Sequence, residues 1–198
     1  MKLINRIKNK IKYEFLRMIK PEIISYPGSD ADDPLKKKRF SNFSHISKPE
    51  NVSIGDSVFI GHYNYIDGFE KIEIGERCQI TNFISILTHS SHNSIRLYGP
   101  KYVANWGTKM KGLQYGEVKI GAYTFIGSHC IILPGTVLGK GCLVSAYSLV
   151  KGQFPDYSVL RGIPAVVVGD TRKMDEKLLA EFPELEEMYY HKNLTTKG

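Results

Sequence analysis

At 198 residues, 42% of them hydrophobic, the chain is long enough for one domain with an ordinary core plus tails. Three widely spaced cysteines exclude a disulfide framework, and no apolar run is long enough to span a bilayer. The net charge of +7 comes mostly from the N-terminal segment, where basic residues are not interleaved with any nucleic-acid-binding motif, so no nucleic-acid partner is expected.

Residues 2–20 place Leu3, Ile4, Ile7, Ile11, Phe15, Met18 and Ile19 at near-helical spacing among lysines and arginines, and Pro21 ends the run. This spacing predicts an amphipathic basic helix. Two uses fit it: lying on an anionic membrane, or capping the open end of a repeat stack. The apolar residues never form the continuous stretch of a secretory signal. A reducing cytoplasm is the expected compartment, at the inner face of the membrane if the helix touches lipid. Residues 26–50, with Pro27, Gly28, Pro34, Pro49 and the run Lys36 to Arg39, read as irregular lead-in chain, so that residues 1–50 form one N-terminal unit.

From residue 51 to 169 a six-residue period takes over. Ile120, Ile126, Ile132, Leu138, Val144 and Val150 recur at that interval, and Thr124, Cys130, Thr136, Cys142 and Ser148 each follow four residues later. Upstream the same pattern runs through Ile54, Ile60 and Ile66, slips by two residues, and resumes at Ile74, Ile80 and Ile86. A period of six is neither helical nor the alternation of a plain sheet. It predicts a solenoid of short strands in which three hexads close a triangular coil and coils stack at roughly 4.8 Å. The aliphatic residue fills the core, the small residue four places on fits the narrow interior, and glycine after the aliphatic is expected to serve the corners. The cysteines 78, 130 and 142 all fall at inward positions, which makes them small core residues.

The repeat is interrupted at about residues 88–118. This insertion holds His89, His92, Asn93 and Arg96 with Tyr98, Tyr102, Trp106 and Tyr115, a mixture of base, hydrogen-bond donors and flat apolar surfaces that suits sugars. Asn64 can be read either as an acceptor ligand or as a satisfied coil corner. Residues 170–198 predict a C-terminal helical tail, broken at Pro183 and packed back on the solenoid.

Several segments, Thr124 to His129, Ile132 to Val137, Ser145 to Val150 and Arg161-Gly162-Ile163-Pro164-Ala165, are similar to those of the hexapeptide-repeat acyltransferases, and especially of sugar and polysaccharide O-acetyltransferases. The resemblance implies an all-β solenoid, a left-handed parallel β-helix, assembled as a homotrimer with sites between adjacent prisms. It implies acetyl-CoA as co-substrate, a saccharide acceptor, no metal, and a histidine general base ending a Thr-x-x-His-like segment. That pattern favours His92 here, with His89 as the alternative. On the acceptor side it points to Asn64, and the insertion's own composition adds Asn93 and Trp106 as candidate sugar contacts. On the donor side it implies Phe125, Gly127, Ser128 and Ala146 along the pantetheine arm, with Lys151 and Arg161 at the anionic end. Lys151-Gly152 and Val166-Val167-Val168 stand where relatives carry more basic residues, and Arg172 and Lys173 are placed to substitute. Imidazole suits the role because it titrates near neutrality. N-acetyl transfer to an amino sugar, a zinc lyase resembling the γ-class carbonic anhydrases, and a non-catalytic scaffold are the competing readings.

Overall fold

The computed structural model describes residues 7–8, 11, 19–26, 33, 35–106, 108 and 110–190. The basic helix expected over residues 2–20 falls almost wholly outside them. The remainder winds as a triangular prism of short parallel strands. Its first face is an eight-stranded sheet in the order Ile23–Ser25, Arg39–Ser41, Phe59–Ile60, Gln79–Ile80, Phe125–Ile126, Leu143–Val144, Ser158–Gly162 and Ala165–Asp170. The second stacks His45–Ser47, Tyr65–Asp67, Ser85–Ile86, Ile131–Ile132 and Leu149–Val150. The third stacks Val52–Ile54, Ile72–Ile74, Val118–Ile120, Val137–Leu138 and Gln153–Phe154. Neighbouring coils are in parallel register, and the first face ends on both sides in an antiparallel strand.

The period of six translates directly into burial. Ile60, Ile66, Ile80, Ile86, Ile126, Ile132, Val144 and Val150 are at most 1% exposed and form the core. The small residues four places on are buried too, and their hydroxyl and thiol groups donate to backbone carbonyls at the corners. Thr124 Oγ1 bonds Gly139 O at 3.1 Å, Cys78 Sγ bonds Gly121 O at 3.1 Å, and Ser148 Oγ bonds Ser145 O at 2.7 Å. Hydrogen-bonding these groups removes the penalty of burying them.

Two expectations need correction. The glycine after each aliphatic residue does not supply corner geometry. Positive φ occurs two residues later, at Tyr63, Arg77, Phe83, Tyr123, His129 and Tyr147, with Gly135 and Gly141 at equivalent places. The glycines are needed because coils stack backbone to backbone. A Cβ on Gly75 would stand 2.5 Å from Ala122 N, and one on Gly127 2.6 Å from Ala146 N. Second, residues 39–47 are not irregular chain. Arg39–Ser41 pairs with Phe59–Ile60, and His45–Ser47 with Tyr65–Asp67, so the prism starts one coil before residue 51. Phe40 and Ile46 carry the hexad there, half-buried against the core, with an aromatic ring in an aliphatic position. The expected two-residue slip between Ile66 and Ile74 takes the form of a wider corner at residues 67–71.

The tail forms helix α2, Thr171–Glu181, preceded in the chain by a shorter helix α1, Ser94–Tyr98, in the insertion. Asp170 caps α2 by accepting from Arg172 N at 2.9 Å. No described helix is long and apolar enough to cross a membrane.

Candidate active site

The wide corner between the second and third faces is where the insertion leaves the prism. It departs and returns as a two-rung antiparallel ladder, His89 opposite Tyr115 and Ser90 opposite Gln114. The return is pressed under the next coil: a Cβ on Gly116 would lie 2.7 Å from Gly135 Cα. Between these limbs run α1 and two single 3-10 turns, Gly99–Lys101 and Val103–Asn105.

Directly below His89, in the preceding coil, lies Asp67. Its side chain is buried, and its Oδ2 stands 2.5 Å from His89 Nδ1. Thr88 N donates to the same oxygen at 3.2 Å and Ser47 Oγ to Oδ1 at 3.3 Å, so the carboxylate is held from several sides. Thr88 Oγ1 donates to Asp67 O at 2.6 Å and accepts from Glu70 N at 2.9 Å, tying the two corners together. The Phe69 ring stacks on the imidazole at 4.4 Å, and Lys48 Nζ sits 4.4 Å from the Phe69 centroid on the coil beneath. With the carboxylate accepting from Nδ1–H, Nε2 carries the lone pair. The His89 side chain keeps 36% of its surface exposed, which leaves that nitrogen's side of the ring accessible.

His92 is placed differently. It is exposed on the insertion, its Nδ1 2.8 Å from Ser90 Oγ, and among the described residues no carboxylate bonds it. Asn93 accepts from Arg96 at the start of α1. Trp106 is three-quarters exposed, and no ring contact or side-chain hydrogen bond among the described residues joins it to His89. Asn64 is corrected from acceptor ligand to coil staple. Its Nδ2 donates to Gly61 O and Thr81 O, and its Oδ1 accepts from Ile84 N, all within 3.0 Å, leaving nothing for a sugar.

The residues expected at the donor side fall in three places. Gly127, Ser128 and Ala146 are neighbours at the corner between the first and second faces, where Tyr147 N donates to Ser128 O at 3.0 Å. Lys151 is at the His89 corner, two coils above it, since Gly152 O accepts from Val137 N next to Gly135. Phe125 and Arg161 project from the first face. Phe125 shares a pocket of about 300 Å3 with Tyr123, Leu143 and Met174. Arg161 lines a groove of about 540 Å3 with Val159, Lys173 and Lys177. Arg172 is not free to replace missing cations, because its guanidinium is forked on Asp170 and lies 4.6 Å from the Tyr157 ring centroid. The sequence reading passed over Asp67 and Phe69. Asp67 follows the aliphatic Ile66 where the coils above carry Leu87, Leu133 and Lys151, and a buried carboxylate at that place in the hexad was the signal that could have found it.

Among the described residues no three side chains of metal-ligating type converge. Residues 117–152 match the bacterial transferase hexapeptide (six repeats) family profile. WbbJ of Escherichia coli K12, assigned to lipopolysaccharide biosynthesis as a putative O-acetyl transferase, is 31% identical over 59% of this chain, which in turn spans 59% of WbbJ. The dTDP-4-amino-4,6-dideoxy-D-glucose acyltransferase of Escherichia coli is 29% identical over 75% of this chain and 77% of its own length. In fold, the chain superposes on AntD, an N-acyltransferase of Bacillus cereus crystallised with dTDP and 3-hydroxybutyryl-CoA. The TM-score is 0.55 at 24% identity, covering 74% of this chain and 87% of AntD. In repeat, fold and relatives the chain is similar to the hexapeptide-repeat acyltransferases, and its fold is the left-handed parallel β-helix.

Proposed function

We propose that the protein is an acetyl-CoA-dependent O-acetyltransferase acting on a sugar hydroxyl of a bacterial surface polysaccharide or its precursor, with His89 as general base. The observation that carries this reading is the buried Asp67 carboxylate on His89 Nδ1, which fixes the tautomer and aims Nε2 outward. His92, favoured by motif spacing, lacks such an orienting partner and becomes the alternative base. In the reaction, Nε2 takes the hydroxyl proton as the sugar oxygen attacks the thioester carbonyl carbon. The tetrahedral adduct collapses with cleavage of the C–S bond, and the imidazolium returns the proton to the departing thiolate. Asp67 stabilises the imidazolium in between. Lys151, roughly 10 Å along the same corner at the coil spacing, is placed for an anionic part of the donor. Gly127, Ser128 and Ala146 lie at another corner of the prism, so they join His89 in one cleft only across a contact between copies, as in a homotrimer. A lipid-linked precursor is the acceptor for which the basic N-terminal segment has a use.

An amine acceptor is the second reading, supported by the amino-sugar acyltransferase among the relatives. An amine brings its own lone pair, so it depends less on the base. The test is thiol release from acetyl-CoA over matched hydroxyl and amino sugars, run with His89→Ala and His92→Ala. His89→Ala is expected to lower kcat on the hydroxyl sugar by roughly 10^2 to 10^4-fold, with His92→Ala near wild type. The opposite ranking would transfer the role to His92. A panel in which no acceptor prompts release, together with no acetyl-CoA binding by calorimetry, would sink the transferase reading.

A further inference from the structure

The insertion stands off the prism as a small unit of its own. Among the described residues, every hydrogen bond of residues 91–113 closes within the insertion, as when Ile95 N donates to Ser91 O at 3.0 Å and Ser94 Oγ to Lys111 O at 2.9 Å. It buries its own Met110 and Ser94. Four large apolar side chains are nevertheless left in water: Ile95 and Leu97 on α1, and Val103 and Trp106, which keep 72% and 75% of their surface. Val103 and Trp106 bracket one 3-10 turn, with Trp106 N donating to Val103 O at 3.1 Å, and residues three apart in such a turn stand on the same side. The insertion thus folds without burying them, and their exposure to water is unfavourable unless something covers them.

The charge around this apolar tip has one sign. From residue 88 to 116 the chain carries Arg96, Lys101, Lys109 and Lys111 and no aspartate or glutamate. The Arg96 guanidinium donates to two uncharged acceptors, His92 O and Asn93 Oδ1, while Lys101 and Lys111 are exposed. No ion pair among the described residues neutralises any of these three. The tail is the opposite case. Its exposed Leu185 and Met188 lie among Glu184, Glu186 and Glu187, a surface that an anionic partner avoids.

We infer that the insertion is a seat for an anionic lipid surface, with Val103 and Trp106 entering the headgroup boundary and the cations meeting lipid phosphates. Indole suits that boundary, because its ring is apolar and its N–H keeps a polar partner. Apolar contact and charge attraction act together there, as they do for any interfacial segment. A second copy is a poorer occupant, since it brings a net charge of +7 to a cationic patch. The inference deepens the proposed function and rests on it for one consequence. His89 stands at the root of the insertion, so a seated insertion holds the base beside the bilayer and selects a lipid-carried sugar over the same sugar free in solution.

The sole tryptophan, Trp106, reports on the contact. The full chain would be sedimented with vesicles of phosphatidylcholine, alone and mixed with phosphatidylglycerol, and Trp106 emission recorded on mixed vesicles with and without brominated acyl chains. Binding is expected on the mixed vesicles and is expected to weaken with added salt. Emission should shift to the blue and be quenched by the brominated chains. Lys101→Gln is expected to weaken partition roughly fivefold and Val103→Asp at least about tenfold. Both sites are exposed, so both variants should melt as wild type does.

No binding to the mixed vesicles overturns the inference. So does binding that leaves Trp106 unquenched, which would assign the contact to the basic N-terminal segment. Emission already blue-shifted without lipid, in a protein whose scattering mass exceeds one chain, would make a second copy the cover and overturn it too. Acetyl-CoA measurements keep the two claims apart. Thiol release with a free sugar and no vesicle binding removes the lipid seat and leaves the transferase, whereas vesicle binding without acetyl-CoA binding by calorimetry does the reverse.

Discussion

His89 and His92 stand only three positions apart in the chain, yet the fold gives them unequal surroundings. A base is efficient when its lone pair is aimed and its cation compensated, and only His89 has a buried carboxylate to do both. Asp67→Asn should therefore lower kcat roughly tenfold to a hundredfold while leaving the KM for acetyl-CoA within about twofold, since the carboxylate meets the base and not the donor. Steady-state kinetics check this, and a change in KM alone would remove Asp67 from the mechanism. The cysteines show the opposite case of chemically capable residues made inert. Burial pushes the Cys78 thiol up to about 11 and raises Cys130 and Cys142 as well. A thiol whose folded pKa is raised favours the fold at neutral pH, and that contribution is lost as pH rises from about 9 toward 11, where the unfolded chain ionises first. Denaturation midpoints should fall across that window less steeply in Cys78→Ala than in wild type.

At the scale of the coil, stacking leaves no room for a side chain where one backbone lies on another. Gly75→Ala is the sharpest probe, because its Cβ would meet Ala122 N at 2.5 Å and Cα at 2.8 Å, atoms that can yield only if two coils separate. A loss of at least about 2 kcal/mol is expected, at the upper part of the range for overpacking, and denaturant titration measures it. Gly135, where φ is +82° and nothing lies within 4 Å of an added methyl, is glycine for its backbone and not for space. The two kinds of glycine look identical in the repeat. Insertion and wide corner belong together at this scale, since both depart from the six-residue rhythm at the same edge of the prism, and it is there that Asp67, Phe69 and His89 meet.

For the molecule as a whole, the three cysteines lie in coils near the centre of the stack, none with an exposed sulfur. Thiol labelling of the native protein at neutral pH should consequently track global unfolding, with all three reacting at one rate and that rate rising with denaturant. A cysteine that reacts ahead of the others would show that the coils open separately. The hexads were legible because the inward direction of a side chain depends on local spacing, which survives in one dimension. From that came the prism, its core, the buried cysteines and the place of the insertion. Phe40 escaped because an aromatic ring filled an aliphatic position, and Asn64 because a polar residue at an inward site can be either ligand or staple until its partners are seen. Which residues lie over one another is a matter of coil length, and coils of unequal length bring Gln79 beneath Phe125 across the whole insertion. Only the tertiary structure could therefore join Asp67 to His89, or line up Tyr63, Phe83, His129 and Tyr147 in one ladder. Spacing sets which way a side chain points; the winding of the chain sets what it meets.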